Sequence, residues 1–272
     1  MPTTLAGIAY DRRAGRTSDA PVVLFIHAGV ADRRMWDAPW AHLPDALDLI
    51  RLDLRGFGES TEPPAGGSYS PLTDVLAVMN ELGPDRVHLV GSSFGAGVAV
   101  EVVLTAPERV ASLVLCPPGG SLITTVTDAL RAFITSETEA LDRGDMDAAV
   151  EANIDAWVVG RERSRSDVED RVVDQVRDMQ RLAFETSDGL GDVEERELEP
   201  PAAERLGEIT RPTLLLTGAL DMDTIHDASE RVLGAVASAT LVEWPDTAHL
   251  PSLERPHDFA DLLRGWVART SE

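Results

Sequence analysis

Six short apolar runs recur along the chain, over residues 22–26, 49–52, 87–90, 113–115, 213–217 and 240–244, each closed by turn residues. Runs this short and continuous, rather than alternating with polar residues, predict strands buried on both faces, as in a parallel sheet. Between them, apolar positions recur at helical spacing over 72–82, 96–104, 225–236 and 259–267. Strand and helix alternate, which predicts an α/β fold with a mostly parallel central sheet flanked by helices.

The alternation breaks once. From Pro117 to about Ile209 the pattern is helical without a strand, over 122–141, 146–159 and 168–184. Pro117, Pro118, Gly119 and Gly120 open this stretch, and Pro200, Pro201 and Pro212 stand toward its end, the usual punctuation of a boundary. The expectation is an α/β core over 1–117 and 209–272, with a helical cap inserted over 118–208. At roughly 150 residues per domain, 272 residues accommodate one large domain with such an insertion.

Composition narrows the chemistry. There are 24 basic residues against 47 acidic ones, a formal net charge of −23, and all 24 are Arg. This balance argues against a nucleic-acid partner, which calls for a concentrated basic face. Without lysine, Schiff-base and P-loop lysine mechanisms have no residue to use. The lone cysteine, Cys116, forbids an internal disulfide and a structural zinc site; placed after an apolar strand, it reads as a packed core thiol. No apolar run approaches a membrane span, and the first residues lack the basic lead and apolar stretch of a signal peptide, so a cytoplasmic location is expected.

Directly after the 87–90 run come Gly91, Ser92, Ser93, Phe94 and Gly95, a G-x-S-x-G between a predicted strand and a helix start rich in small residues. A serine in such a strained turn is presented as a nucleophile, with the helix N-terminus adding a positive field. Ser93 is the central serine. A base is then needed, and of the six histidines only His249 lies in a loop just after a late strand. His42, His88, His226 and His257 read as satisfied or solvent-facing side chains. An orienting carboxylate is expected between serine and base in chain order. Asp221, three residues past Gly218 at a strand end, is favoured, with Asp223 as the alternative.

The order Ser93, Asp221, His249 in these local contexts resembles the α/β-hydrolase superfamily. Three further segments carry the resemblance: Phe25 to Gly29 with Asp32 to Trp36; the D-x-R-G-x-G-x-S turn from Asp53 to Ser60; and Ala248 to Pro256, which is similar to the G-H-x-P-x-x-E-x-P segment around the family's histidine. The resemblance implies an oxyanion hole from the backbone N–H groups of Phe94 and Gly29. One departure stands out, because the family's usual His-Gly reads His27, Ala28 here. His27, Asp53 and Arg55 are read as architectural, and Trp157 and Phe133 as candidates to line the pocket or to pack the insertion onto the core. The Arg-bearing acidic stretch 161–178 reads as a solvated face.

In this superfamily haloalkane dehalogenases and epoxide hydrolases carry aspartate where Ser93 stands. The resemblance therefore implies acyl transfer to water: a cofactor-free hydrolase of a small or medium carboxylic ester or lactone, similar to the 3-oxoadipate enol-lactonase group. C–C bond hydrolases of ring-cleavage products share every motif quoted and form the close rival. A slow-turnover or non-enzymatic small-molecule receptor of the same fold is the alternative from another class. No carboxylate cluster for a substrate amine is identified, which weighs against an aminopeptidase. The expected partner is a small-molecule substrate, with a homodimer as the default assembly.

Overall fold

The computed structural model describes residues 3–4, 6–64, 66–191 and 193–271. Seven strands form the central sheet in the order β1 (Tyr10–Arg13), β3 (Asp48–Leu52), β2 (Val22–Ile26), β5 (Val87–Ser93), β6 (Val110–Pro118), β8 (Thr213–Gly218) and β9 (Ala239–Trp244). Every pairing is parallel except β1 with β3. Two short strands outside it, β4 (Ser68–Tyr69) and β7 (Glu194–Glu195), pair in parallel as a separate ribbon.

Alternate residues of the strands enter two apolar clusters, one on each face. Val23, Phe25, Val90, Val114, Leu214 and Leu216 point into one, and Leu24, Ile26, Leu89, Leu113, Leu115 and Leu215 into the other. Burial on both faces is the physical reason that these strands read as uninterrupted apolar runs. The flanking helices are α1 (Asp37–His42), α2 (Pro71–Leu82), α3 (Phe94–Thr105), α7 (Asp223–Ala235), α8 (Pro251–Glu254) and α9 (Pro256–Thr270). Proline at the first position of α2 and left-handed Gly83 at its end bound that helix.

All six expected strands are present, most extended by a few residues at one or both ends. Strand β1 goes beyond the pattern reading, because Tyr-Asp-Arg-Arg carries no apolar run. It is an edge strand whose charge faces outward: Arg12 grips Asp48 with Nε at 3.0 Å and a terminal nitrogen at 2.8 Å. Charged edges of this kind discourage pairing with other chains.

Between β6 and β8 the chain runs through α4 (Asp128–Asp142), α5 (Met146–Asn153), a π-helical turn (Ile154–Val159), α6 (Asp170–Gly189) and β7. Thr127 caps α4, accepting from Leu130 N–H at 3.3 Å, so the helix begins later than the predicted 122. Val172, Val173, Val176, Met179 and Ala183 form the buried stripe of α6. Ala202 and Leu206, further along, pack into the cluster on the α3 face of the sheet.

Candidate active site

The residues singled out from the sequence gather at the C-terminal edge of the sheet, where α/β folds place their ligands. Ser93 ends β5 and precedes α3, with φ 52° and ψ −112°. Among the described non-glycine residues only Ser93 and Glu162 have positive φ. Such a backbone persists only when its surroundings over-determine it, and here the flanking glycines do so. A Cβ on Gly91 would lie 2.3 Å from Gly95 O, and one on Gly95 would lie 2.4 Å from His27 O. Strand, turn and helix pass so closely that only glycine fits at both positions, which lifts Ser93 above the sheet edge.

His249 follows β9 and Asp221 follows β8. The loops are tied together by backbone bonds, Leu220 N–H to Thr247 O at 3.0 Å and Ala219 N–H to Trp244 O at 2.9 Å. Asp221 is fully buried and His249 is 2% exposed. His249 Nδ1 lies 2.8 Å from Asp221 Oδ2; a carboxylate accepts, so Nδ1 carries the proton and Nε2 is left as the basic nitrogen. The alternative acid does other work. Asp223 Oδ1 accepts from Thr127 Oγ1 at 2.7 Å and from Thr224 N–H at 2.8 Å, joining the start of α7 to the start of α4.

Ser93 and His249 line one cavity of about 320 Å³ together with Gly29, Trp157 and Phe133. The Trp157 ring packs against His249 at a tilt of 44° with centroids 4.5 Å apart, and Phe133 meets Trp157 edge-on at 5.2 Å. Trp157 sits on the π-helical turn, a distortion that often accompanies functional sites. Gly29 is adjacent to the residue after the serine: a Cβ built on it would stand 3.6 Å from Phe94 Cβ. Ala28, where the family usually has glycine, does not adopt positive φ, so alanine is tolerated there.

The residues read as architectural make architectural contacts. His27 is fully buried and its pKa is lowered, chiefly by that burial. It donates from Nδ1 to Ala28 O at 2.8 Å and accepts Leu54 N–H on Nε2 at 2.9 Å, tying the Gly29 loop to the 53–60 turn. Asp53 accepts Arg33 N–H at 2.8 Å and Glu59 N–H at 2.9 Å, and pairs with the Arg33 guanidinium. Arg55 grips Asp74 bidentately at 2.9 and 2.8 Å. Cys116 is buried, and burial pushes its thiol pKa up.

Pattern reading missed Arg163, Glu137, Asn153 and Gln180, and placed Glu254 only within the family segment around His249. Arg163, inside the stretch read as solvated, is buried against Glu254 at 2.7 Å, and the other carboxylate oxygen of Glu254 accepts Ala248 N–H at 2.8 Å, next to His249. Asn153 and Gln180 are only 3% and 4% exposed and line the cavity. Their signal was available, since each is a polar residue on the apolar stripe of its helix: Gln180 four residues after Val176, Asn153 three after Val150. Among the described residues, no three or more His, Cys, Asp or Glu side chains are gathered as metal ligands would be.

A model of the alpha/beta hydrolase family matches residues 23–262, a span that takes in Ser93, Asp221 and His249 and the helices between them. The chain belongs to the alpha/beta hydrolase family. Among relatives, it is 28% identical over 259 residues to the dihydrolipoyllysine-residue acetyltransferase component of the acetoin cleaving system of Cupriavidus necator, an alignment taking in 94% of this chain but only 65% of that protein's length. It is 29% identical to a 2-hydroxy-6-oxononadienedioate/2-hydroxy-6-oxononatrienedioate hydrolase of Klebsiella pneumoniae, over 85% of this chain and 82% of the other. It is 25% identical to 3-oxoadipate enol-lactonase 1 of Acinetobacter baylyi, over 98% and 96%. These relatives carry different activities in their names, an acetyltransferase component, a hydrolase and an enol-lactonase, so family membership establishes a hydrolase scaffold and leaves the substrate open.

Proposed function

We propose that this alpha/beta hydrolase is a serine hydrolase that cleaves a small or medium carboxylic ester or lactone through an acyl-enzyme. One observation carries the reading: Ser93, on a strained strand-to-helix turn, shares a cavity with a histidine whose Nδ1–H is held by buried Asp221. In this reading Ser93 Oγ attacks the carbonyl carbon while His249 Nε2 takes its proton. The oxyanion forms against the N–H groups of Gly29 and Phe94. As the oxyanion collapses, the bond to the leaving group breaks and His249 returns the proton to it. Water, deprotonated by His249, then attacks the acyl carbon and releases the acid and Ser93. Asp221 stays ionised and holds the ring throughout. Each oxyanion donor is worth about 10²- to 10³-fold in rate.

The helices α4–α6 then serve as a cap over 118–208 that supplies the far wall of the cavity and shields the acyl-enzyme, on a core of 1–117 and 209–272. The reading further takes the protein to be cytoplasmic and cofactor-independent. No helix among the described residues is long and apolar enough to cross a membrane. Size-exclusion chromatography with light scattering distinguishes the expected homodimer from a monomer.

Steady-state hydrolysis of p-nitrophenyl esters of graded chain length tests the proposal. Wild type is expected to turn over the short and medium esters, with Ser93→Ala slower by at least about 10³-fold. Equal rates for the two proteins, with ligand binding retained, favour the receptor reading. Faster loss of a ring-cleavage dienol's absorbance than of any ester favours C–C cleavage.

A further inference from the structure

The wall of the cavity formed by α4, α5 and α6 carries the polar side chains of Glu137, Asn153 and Gln180. Asn153 Nδ2 donates to Glu137 Oε1 at 2.6 Å and to Ala149 O at 3.0 Å, so both of its amide hydrogens are committed and its remaining polar atom is an acceptor. Glu137 adds a carboxylate. Gln180, on α6, lines the same space, and its Oε1 is buried without a hydrogen-bond partner among the described residues. A buried acceptor left unpaired is costly, and here it belongs to a side chain bordering the cavity that holds Ser93 and His249. None of the described residues lining that cavity is an arginine, and the chain has no lysine to take its place.

We propose that Glu137, Asn153 and Gln180 form a substrate subsite for a hydrogen-bond-donating group that is not an anion, a hydroxyl or an ammonium, at the end of the substrate remote from the scissile carbonyl. The inference rests on the hydrolase reading above and adds the substrate class to it. The acceptors on Glu137 and Asn153 suit a donor, and the Glu137 carboxylate, with no arginine among the described residues that line the cavity, rejects a second carboxylate. The substrate is therefore a hydroxylated or amino-bearing ester or lactone, and a dicarboxylate half-ester is a poor one.

The test uses p-nitrophenyl esters of matched length: heptanoate, 6-hydroxyhexanoate, 6-aminohexanoate and the adipate half-ester. In wild type, kcat/KM for the hydroxy and amino esters is expected to exceed that for the adipate ester by about tenfold or more. Gln180→Leu is expected to lower the hydroxyhexanoate-to-heptanoate ratio of kcat/KM by roughly five- to tenfold, the size of one hydrogen bond. Glu137→Gln, at a partly buried position, raises the rate on the adipate ester selectively. Preference for adipate in wild type, or variants that slow all four esters alike, would overturn the subsite. If wild type hydrolyses none of them, the hydrolase reading fails by itself. The subsite is then judged by tryptophan-fluorescence titration with 6-hydroxyhexanamide and adipate: tighter binding of the amide, lost in Gln180→Leu, supports it, and equal or reversed affinities overturn it.

Discussion

His88 lies at 3% exposure on β5, with Nδ1 2.8 Å from Ser112 Oγ and Nε2 3.2 Å from Ser271 Oγ. Burial, helped by the charge of Arg86, pulls its pKa down to about 4 from the usual 6.5. Between those two values the unfolded chain binds a proton that the folded one refuses, so lowering the pH favours unfolding. The stabilisation is fully present above about pH 6.5 and is lost as the pH falls toward 4, a change of about 3 kcal/mol at 1.36 kcal/mol per unit. Denaturant unfolding of wild type and His88→Gln from pH 7.5 to 4 is expected to show a stability difference that shrinks by this order on acidification. A difference constant with pH would mean that His88 is not held neutral. Residue types alone did not separate the histidines or the acids. His249 was legible because it follows a late strand. Asp221 and Asp223 stand two residues apart, and the spacing past Gly218 favours the first; the course of the chain there brings Asp221 to His249, while Asp223 joins the starts of α7 and α4.

At the scale of elements, what was legible followed from burial. Strands covered on both faces advertise themselves as apolar runs, whereas β1 and the β4–β7 ribbon, whose residues are polar and half exposed, do not. The helices between β6 and β8 were visible by period, but their function in the site was hidden, because it depends on which polar residue on a stripe faces a cavity. Arg163 is the clearest case. Its guanidinium bonds Val158 O, Val159 O and Asp246 O and pairs with Glu254, so it fastens the helical segment to the loop carrying His249. Removing one partner of a buried pair strands the other charge. Arg163→Met is expected to cost about 3 kcal/mol in denaturant unfolding, and to lower kcat more than it raises KM because the Glu254–Ala248 contact beside His249 loosens. Arg163→Lys should recover part of both. A variant with unchanged stability and kcat would show that the pair does not hold the loop.

For the whole molecule, the charge of −23 weighs against anionic partners without choosing a substrate, and its meaning changes once the cavity is considered. A strongly negative chain raises the local concentration of cations and lowers that of anions, in the same direction as a subsite with a carboxylate and no arginine. Family and fold were legible from motif and spacing, and so was the gathering of Ser93, Asp221 and His249 at one edge of the sheet, because those motifs encode turns that only certain residues allow. The substrate was not, because it depends on the packing of helices whose apolar stripes are interchangeable at the level of pattern. The central claim concerns Ser93, and covalent labelling addresses it most directly. After incubation with a fluorophosphonate, intact mass and peptide mapping are expected to give a single adduct on Ser93, absent from Ser93→Ala; no adduct, or an adduct on another serine, would contradict the account.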